Sequence, residues 1–166
     1  MAVALVPLFF AVILLAGYFA HREINATEEA LYERGRGMAQ RLAETAAFDL
    51  FAGNDLYLKR LLDYEKVAQN CDTIGIADQT GNWRLISGRA GILAPPGDLS
   101  TAREWRSGDQ VFFIHPVVLQ NPVLNDPYLA DGGAPRNELI GQVSVVLDMT
   151  PIQRAQHRAL LVAAGF

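Results

Sequence analysis

One cysteine and three histidines are the whole complement of thiol and imidazole in 166 residues. Cys71 alone closes no internal disulfide. With no histidine close to it in sequence, it reads as a buried structural thiol rather than a nucleophile. His21, His115 and His157 are widely separated, and no HExxH helix, phosphate-cradling glycine loop or nucleophile elbow occurs. The expectation is no catalytic residue, no metal and no cofactor in this stretch of chain. Basic charge is scarce too: 14 Lys and Arg stand against 18 Asp and Glu, a formal net charge of −4, with no run of one sign. Without a basic stripe to follow phosphates, nucleic acid is not an expected partner.

Apolar residues, by contrast, make up 51% of the chain, enough for the core of one domain plus additional segments. The run "AVALVPLFFAVILLAGYFA", Ala2 to Ala20, carries no charge. As a helix it measures roughly 30 Å, the thickness of a bilayer's hydrocarbon core, and it reads as a membrane span. The competing readings are a cleaved signal peptide and a buried core helix. The first is opposed by the missing basic n-region and by Tyr18, where a cleavage site wants a small residue. The chain ends on "LDMTPIQRAQHRALLVAAGF", in which Thr150 suits a helix N-cap and Pro151 the first helical position. From Ala159 it is wholly apolar, which reads as the start of a second span or as a short helix packed on the domain. The expected organisation is a transmembrane helix at 1–20, an extracytoplasmic domain at 21–150, and an exit helix beginning a second span at 151–166.

Within the domain, a long helical pattern runs from Arg22 to Ala52. Ala39, Leu42, Ala43, Ala46, Ala47 and Leu50 form an apolar stripe that requires a sheet or helix beneath it. Earlier in the same helix, Ile24, Leu31 and Met38 recur every seven residues, either as a thin dimer seam or as part of a solvated stalk. Gly53 and Asn54 sit side by side as C-cap and N-cap. A second helix then puts Leu58, Leu61, Leu62 and Ala68 on one face and spaces Asp55 with Lys59 for an ion pair. "DTIGIAD" and "NWRLISG" are β-type runs joined by a turn, and "QVFFIHPVVLQ" and "ELIGQVSVVLDM" are a second, more apolar and more central pair. Two stretches rich in proline and glycine, "RAGILAPPGDLSTAREWRSGD" and "NPVLNDPYLADGGAPRN", read as long loops. The pattern predicts an α+β fold: an antiparallel sheet of four to five strands with helices on one face.

In "LAETAAFDLFAGNDLYLKRLL", "TIGIADQTGNWRLISG", "FFIHPVVL" and "ELIGQVSVVLDMT" the chain resembles the PAS-like (PDC or Cache) extracytoplasmic sensor domains of bacterial signalling receptors. The likeness is nearest to the sensors of BarA/GacS-type hybrid histidine kinases, and similar domains occur in membrane diguanylate cyclases. The resemblance implies a receptor in the bacterial inner membrane with residues 21–150 in the periplasm, the output enzyme lying outside this sequence. It also implies homodimerisation and a small carboxylate-like ligand held between the sheet and its crossing loop.

Candidate ligand residues follow from that placement. His115 shares strand parity with Val111, Phe113 and Val117, so it caps a pocket or is a core histidine satisfied by backbone. Arg89, Arg103 and Arg106 lie in or beside the first long loop, where a guanidinium fork suits a carboxylate; the alternative is a solvated surface. Trp105, Trp83 and Tyr57 are candidate pocket walls against a reading as ordinary packing. Asp126 and Asp131 in the second loop are either cation ligands or solvent-facing carboxylates. The alternative to ligand sensing is a module for dimerisation or partner binding without a pocket.

Overall fold

The computed structural model describes residues 5–93, 98–120, 137–150 and 153–154, and for 5–26 the backbone alone. The chain forms two compact units, one comprising Gly35–Asp148 and the other Met1–Arg34 with Met149–Phe166. The first helix, α1, runs unbroken over Leu5–Ala52. The side chains of the apolar run at Ala2–Ala20, and everything from Ala159 onward, lie outside the described residues. Among those described, no helix is long and apolar enough to cross a membrane.

Helix α1 stops where the sequence says it must. Gly53 takes the left-handed conformation (φ +71°) that closes a helix without penalty only for glycine. Its N–H donates to the Leu50 carbonyl, and the Asn54 N–H to that of Asp49. Asn54 then caps α2, Asp55–Ala68, with its side-chain oxygen accepting from the Tyr57 N–H. Leu58 and Leu62 are buried, but Leu61 is only half-buried and Ala68 is exposed, because one narrow stripe of this helix reaches the core. Asp55 pairs with Arg84 of the neighbouring strand at 2.8 Å rather than with Lys59, since α2 packs beside that strand.

The sheet contains β1 (Thr73–Asp78), β2 (Trp83–Ser87), β3 (Arg103–Ser107), β4 (Gln110–Gln120) and β5 (Asn137–Asp148). Their order is β2-β1-β5-β4-β3, with every neighbouring pair antiparallel. Strand β3 departs from the sequence expectation, which left it inside a long loop. "REWRS" has no aliphatic residue to announce a strand, and it pairs because Gly108 (φ +59°) and Asp109 make a two-residue hairpin to β4. Being at the edge, it has a single neighbour and keeps its charged side chains in water.

The two faces of the sheet are covered differently. On one, Val111, Phe113 and Val117 of β4, Val143, Val145 and Leu147 of β5, and Ile74 and Ile76 of β1 are buried beneath the α1 stripe. Every residue of that stripe from Ala39 to Leu50 is buried. Met38 belongs to this core at 1% exposure rather than to a seam, and Cys71, buried as expected, lies with its Sγ 3.3 Å from the Met38 sulfur. Helix and sheet touch at two glycines. A Cβ on Gly35 would fall 2.2 Å from the Phe113 ring, and one on Gly141 2.9 Å from Leu50 and 2.2 Å from the Ala77 carbonyl oxygen.

Candidate ligand-binding site

The opposite face of the sheet has no helix longer than a single turn over it among the described residues. Its floor is made of three rows of side chains running across β1, β5 and β4: Thr73, Val146 and Phe112; Gly75, Ser144 and Ile114; Ala77, Gln142 and Pro116. The cover begins with a 3-10 turn at Ala90–Ile92 and with Leu93. Leu93, Phe112 and Val146 form a small core joined by Trp83, Ile86, Ile92 and Trp105. Trp105 lies flat on Phe112, with ring centroids 4.9 Å apart and planes within 2°. Leu93 and Trp83 sit directly over Gly75, whose missing Cβ would be 2.6 Å from the first and 2.9 Å from the second. The loop's start is pinned by the Arg89 N–H, which donates to the Thr73 hydroxyl at 3.0 Å.

Gln142, on the central strand of this floor, is fully buried, and among the described residues neither its amide nitrogen nor its amide oxygen has a hydrogen-bond partner. Ser144, two residues on and on the same face, is buried as well. Sequence reasoning passed over both. The signal was a polar residue at every second position, Gln142 and then Ser144, in a strand otherwise apolar enough to be central.

The residues chosen from sequence are not gathered in one place. Arg89 stands at the end of β2 with its guanidinium forked on Asp72 at 2.7 and 2.8 Å; that bonding holds its pKa above the ordinary value, and the side chain is largely in water. Arg103 is exposed and donates to the Asp98 carbonyl, while Arg106 donates to that of Gly108. Asp98 itself lies below the usual carboxylate range, chiefly through the Ser100 hydroxyl. Tyr57 is half-exposed in the first turn of α2. Trp105 and Trp83 are half-buried on the loop-covered face. His115 projects to the helix side, as its parity predicts, half-buried and with Nδ1 3.0 Å from the Pro116 carbonyl oxygen. Arg103 and His115 do meet along one groove of about 270 Å³, which Arg36, Glu104 and Phe113 also line. Arg36 and Glu104 close its rim with a bidentate ion pair at 2.9 and 3.2 Å. Among the described residues no three His, Cys, Asp or Glu gather as metal ligands; Asp126 and Asp131 lie outside those residues.

Two helices on one face of a five-stranded antiparallel sheet in this order define an α+β fold of the PAS-like class. The chain belongs to the single-Cache family, whose model, Single cache domain 4, matches residues 22–160. No curated protein matches the sequence. Cache domains are the extracytoplasmic sensor domains of bacterial signalling receptors and typically bind small-molecule ligands.

Proposed function

We propose that the chain is the membrane-anchored sensing portion of a bacterial receptor, with Ala2–Ala20 as its first span, residues 21–150 in the periplasm and 151–166 leading into a second span. The output is a histidine kinase of the hybrid two-component type, and the receptor works as a homodimer. A small polar molecule binds on the loop-covered face of the sheet, with Trp105 as a wall and Arg103, two residues before it on the same edge strand, at the rim. The observation that carries this reading is the composition of that face. Its floor sets the small Gly75 and Ala77 and the polar Thr73, Gln142 and Ser144 among Phe112, Ile114, Pro116 and Val146, where the helix-covered face is aliphatic and aromatic. Ligand binding there tightens the loop cover and biases a two-state equilibrium that the helices carry across the bilayer.

A second reading, a module for partner binding, is favoured by the apolar side chains left in water around the α1–α2 junction: Phe48, Phe51, Leu56 and Tyr57. The two separate in one experiment, thermal unfolding of the full chain in detergent with and without a panel of carboxylates, amino acids and amides. A ligand at a hundred times its dissociation constant adds about 2.7 kcal/mol, a shift of several degrees. A shift confined to one chemical class is the expected result. No shift from any compound moves the function to partner binding.

A further inference from the structure

An amide side chain sealed in a protein interior without a partner is costly, because both its donors and its acceptor have given up water for nothing. Native structures tolerate few such groups, and each asks for an explanation. Gln142 is one: it is 0% exposed, and among the described residues neither Oε1 nor Nε2 has a partner. Its direction is fixed by the sheet. Gly141 and Val143 on either side face α1, so Gln142 projects onto the loop-covered face, between Ala77 of β1 and Pro116 of β4. Neither neighbour offers a side-chain donor or acceptor.

From these observations we infer that Gln142 is the ligand-anchoring residue of the loop-covered face, and that the ligand is a small uncharged molecule presenting a hydrogen-bond donor and acceptor side by side. Amides, lactams and the edges of nucleobases have that pattern. A carboxamide pairs with such an edge through two parallel hydrogen bonds, one given and one received, satisfying both orphaned atoms at once. A carboxylate accepts from Nε2 but has nothing to donate to Oε1. It would also bring a full charge into a buried site whose floor, among the described residues, holds no cation: Arg103 is exposed and Arg89 is occupied by Asp72. This narrows the ligand class away from the carboxylate expected from sequence. Ser144, one row along the same strand face, supplies a further hydroxyl to the same ligand.

The inference rests on the proposed sensing role of this face, and its test separates the two. Gln142→Met keeps the length of the side chain and removes its polar atoms, with Gln142→Leu as a second variant should the first fold poorly. Melting of the full chain in detergent is followed without ligand and with nicotinamide, 2-pyrrolidone and uracil as neutral probes, and with acetate and succinate as charged ones. Without ligand, the variants are expected to melt several degrees above the parent, since an uncompensated buried amide has been removed. With ligand, a neutral probe is expected to raise the melting temperature of the parent and to lose that effect in both variants. Lower melting of both ligand-free variants overturns the inference, because it means that the amide is a satisfied structural group. A shift from succinate or acetate alone, or a neutral-probe shift that survives in the variants, overturns the inference and leaves the sensing role standing. No shift of the parent by any probe overturns the inference and counts against the sensing role as well.

Discussion

One sheet presents two faces built on opposite rules. Beneath α1 the side chains are aliphatic or aromatic and dry, and the backbones approach so closely that Gly35 and Gly141 have no room for a methyl group. Across the same strands, one residue out of step, the floor sets Gly75, Ala77, Thr73, Gln142 and Ser144 among Phe112, Ile114, Pro116 and Val146, and its cover is a handful of side chains from the loop and the outer strands. Close packing yields rigidity and stability, whereas buried polar groups without partners lower stability and are kept where something else requires them. The helix face therefore sets the fold, and the loop face is where a binding partner is able to alter it.

That division is broken most severely at Gly141. Alanine there places a Cβ 2.2 Å from the Ala77 carbonyl oxygen, a backbone atom that moves only if β1 and β5 separate. Gly141→Ala is expected to cost about 3 kcal/mol or more, read as a large fall in the denaturant midpoint. A loss under about 0.5 kcal/mol would mean that the central strands are not packed as described.

Gly35 offers a subtler break, because its obstacle is the side chain of Phe113 rather than backbone. Gly35→Ala should cost about 1–3 kcal/mol from overpacking. Phe113→Leu alone is destabilising as well, but combined with Gly35→Ala it gives the new methyl group room. The double variant should be more stable than the sum of the two by on the order of 1 kcal/mol. Strict additivity in the double-mutant cycle would separate helix and ring.

On the loop face the corresponding truncation is milder. Trp105 is half-buried and stacks on Phe112 at the sheet edge, so Trp105→Ala is expected to cost about 1–2 kcal/mol, well below a fully buried tryptophan. If it unfolds the domain outright, the loop face carries as much of the core as the helix face, and the contrast between them fails.

How far this was legible beforehand depended on which face a residue served. The helix face announces itself: the Ala39–Leu50 stripe, the Gly53–Asn54 break and the apolar β4 and β5 all appear as periodicity in sequence and recur as buried elements. The loop face does not. Strand β3 is held by a hairpin turn rather than by apolar pattern, and "REWRS" looks like any polar loop. Arginines stand out by charge and histidine and the aromatics by type, so Arg89, Arg103, Arg106, His115, Trp105 and Tyr57 are the ligand residues a sequence offers first. Yet Arg89 proved to be tied to Asp72, and the buried polar group was an uncharged glutamine, visible only once strand register fixed its side. Met38 misled in the other direction, since a seven-residue spacing with Ile24 and Leu31 does not tell which of the three meets the sheet.

The smallest expected effect belongs to neither face. Asp78, at the β1–β2 turn, accepts hydrogen bonds from the Thr80 hydroxyl and from the Thr80 and Asn82 backbone N–H groups. These bonds, led by the Thr80 hydroxyl, hold its carboxyl below the ordinary range, with a minor contribution from Arg84. A carboxyl whose pKa is lowered by folding stabilises the native state fully above its unfolded value of about 4, and that contribution fades as pH falls through the lowered native value. Asp78→Asn keeps one acceptor oxygen and cannot ionise. The parent should therefore melt about a degree or two higher than the variant at neutral pH, a modest gap because the turn is near solvent. Below pH about 4 the gap should shrink toward zero. A gap of constant size from neutral pH to pH about 3 would show that the carboxylate's charge contributes nothing at the turn. A gap as large as that produced by Gly141→Ala would mean that the hairpin turn holds the sheet together as much as the packed helix face does.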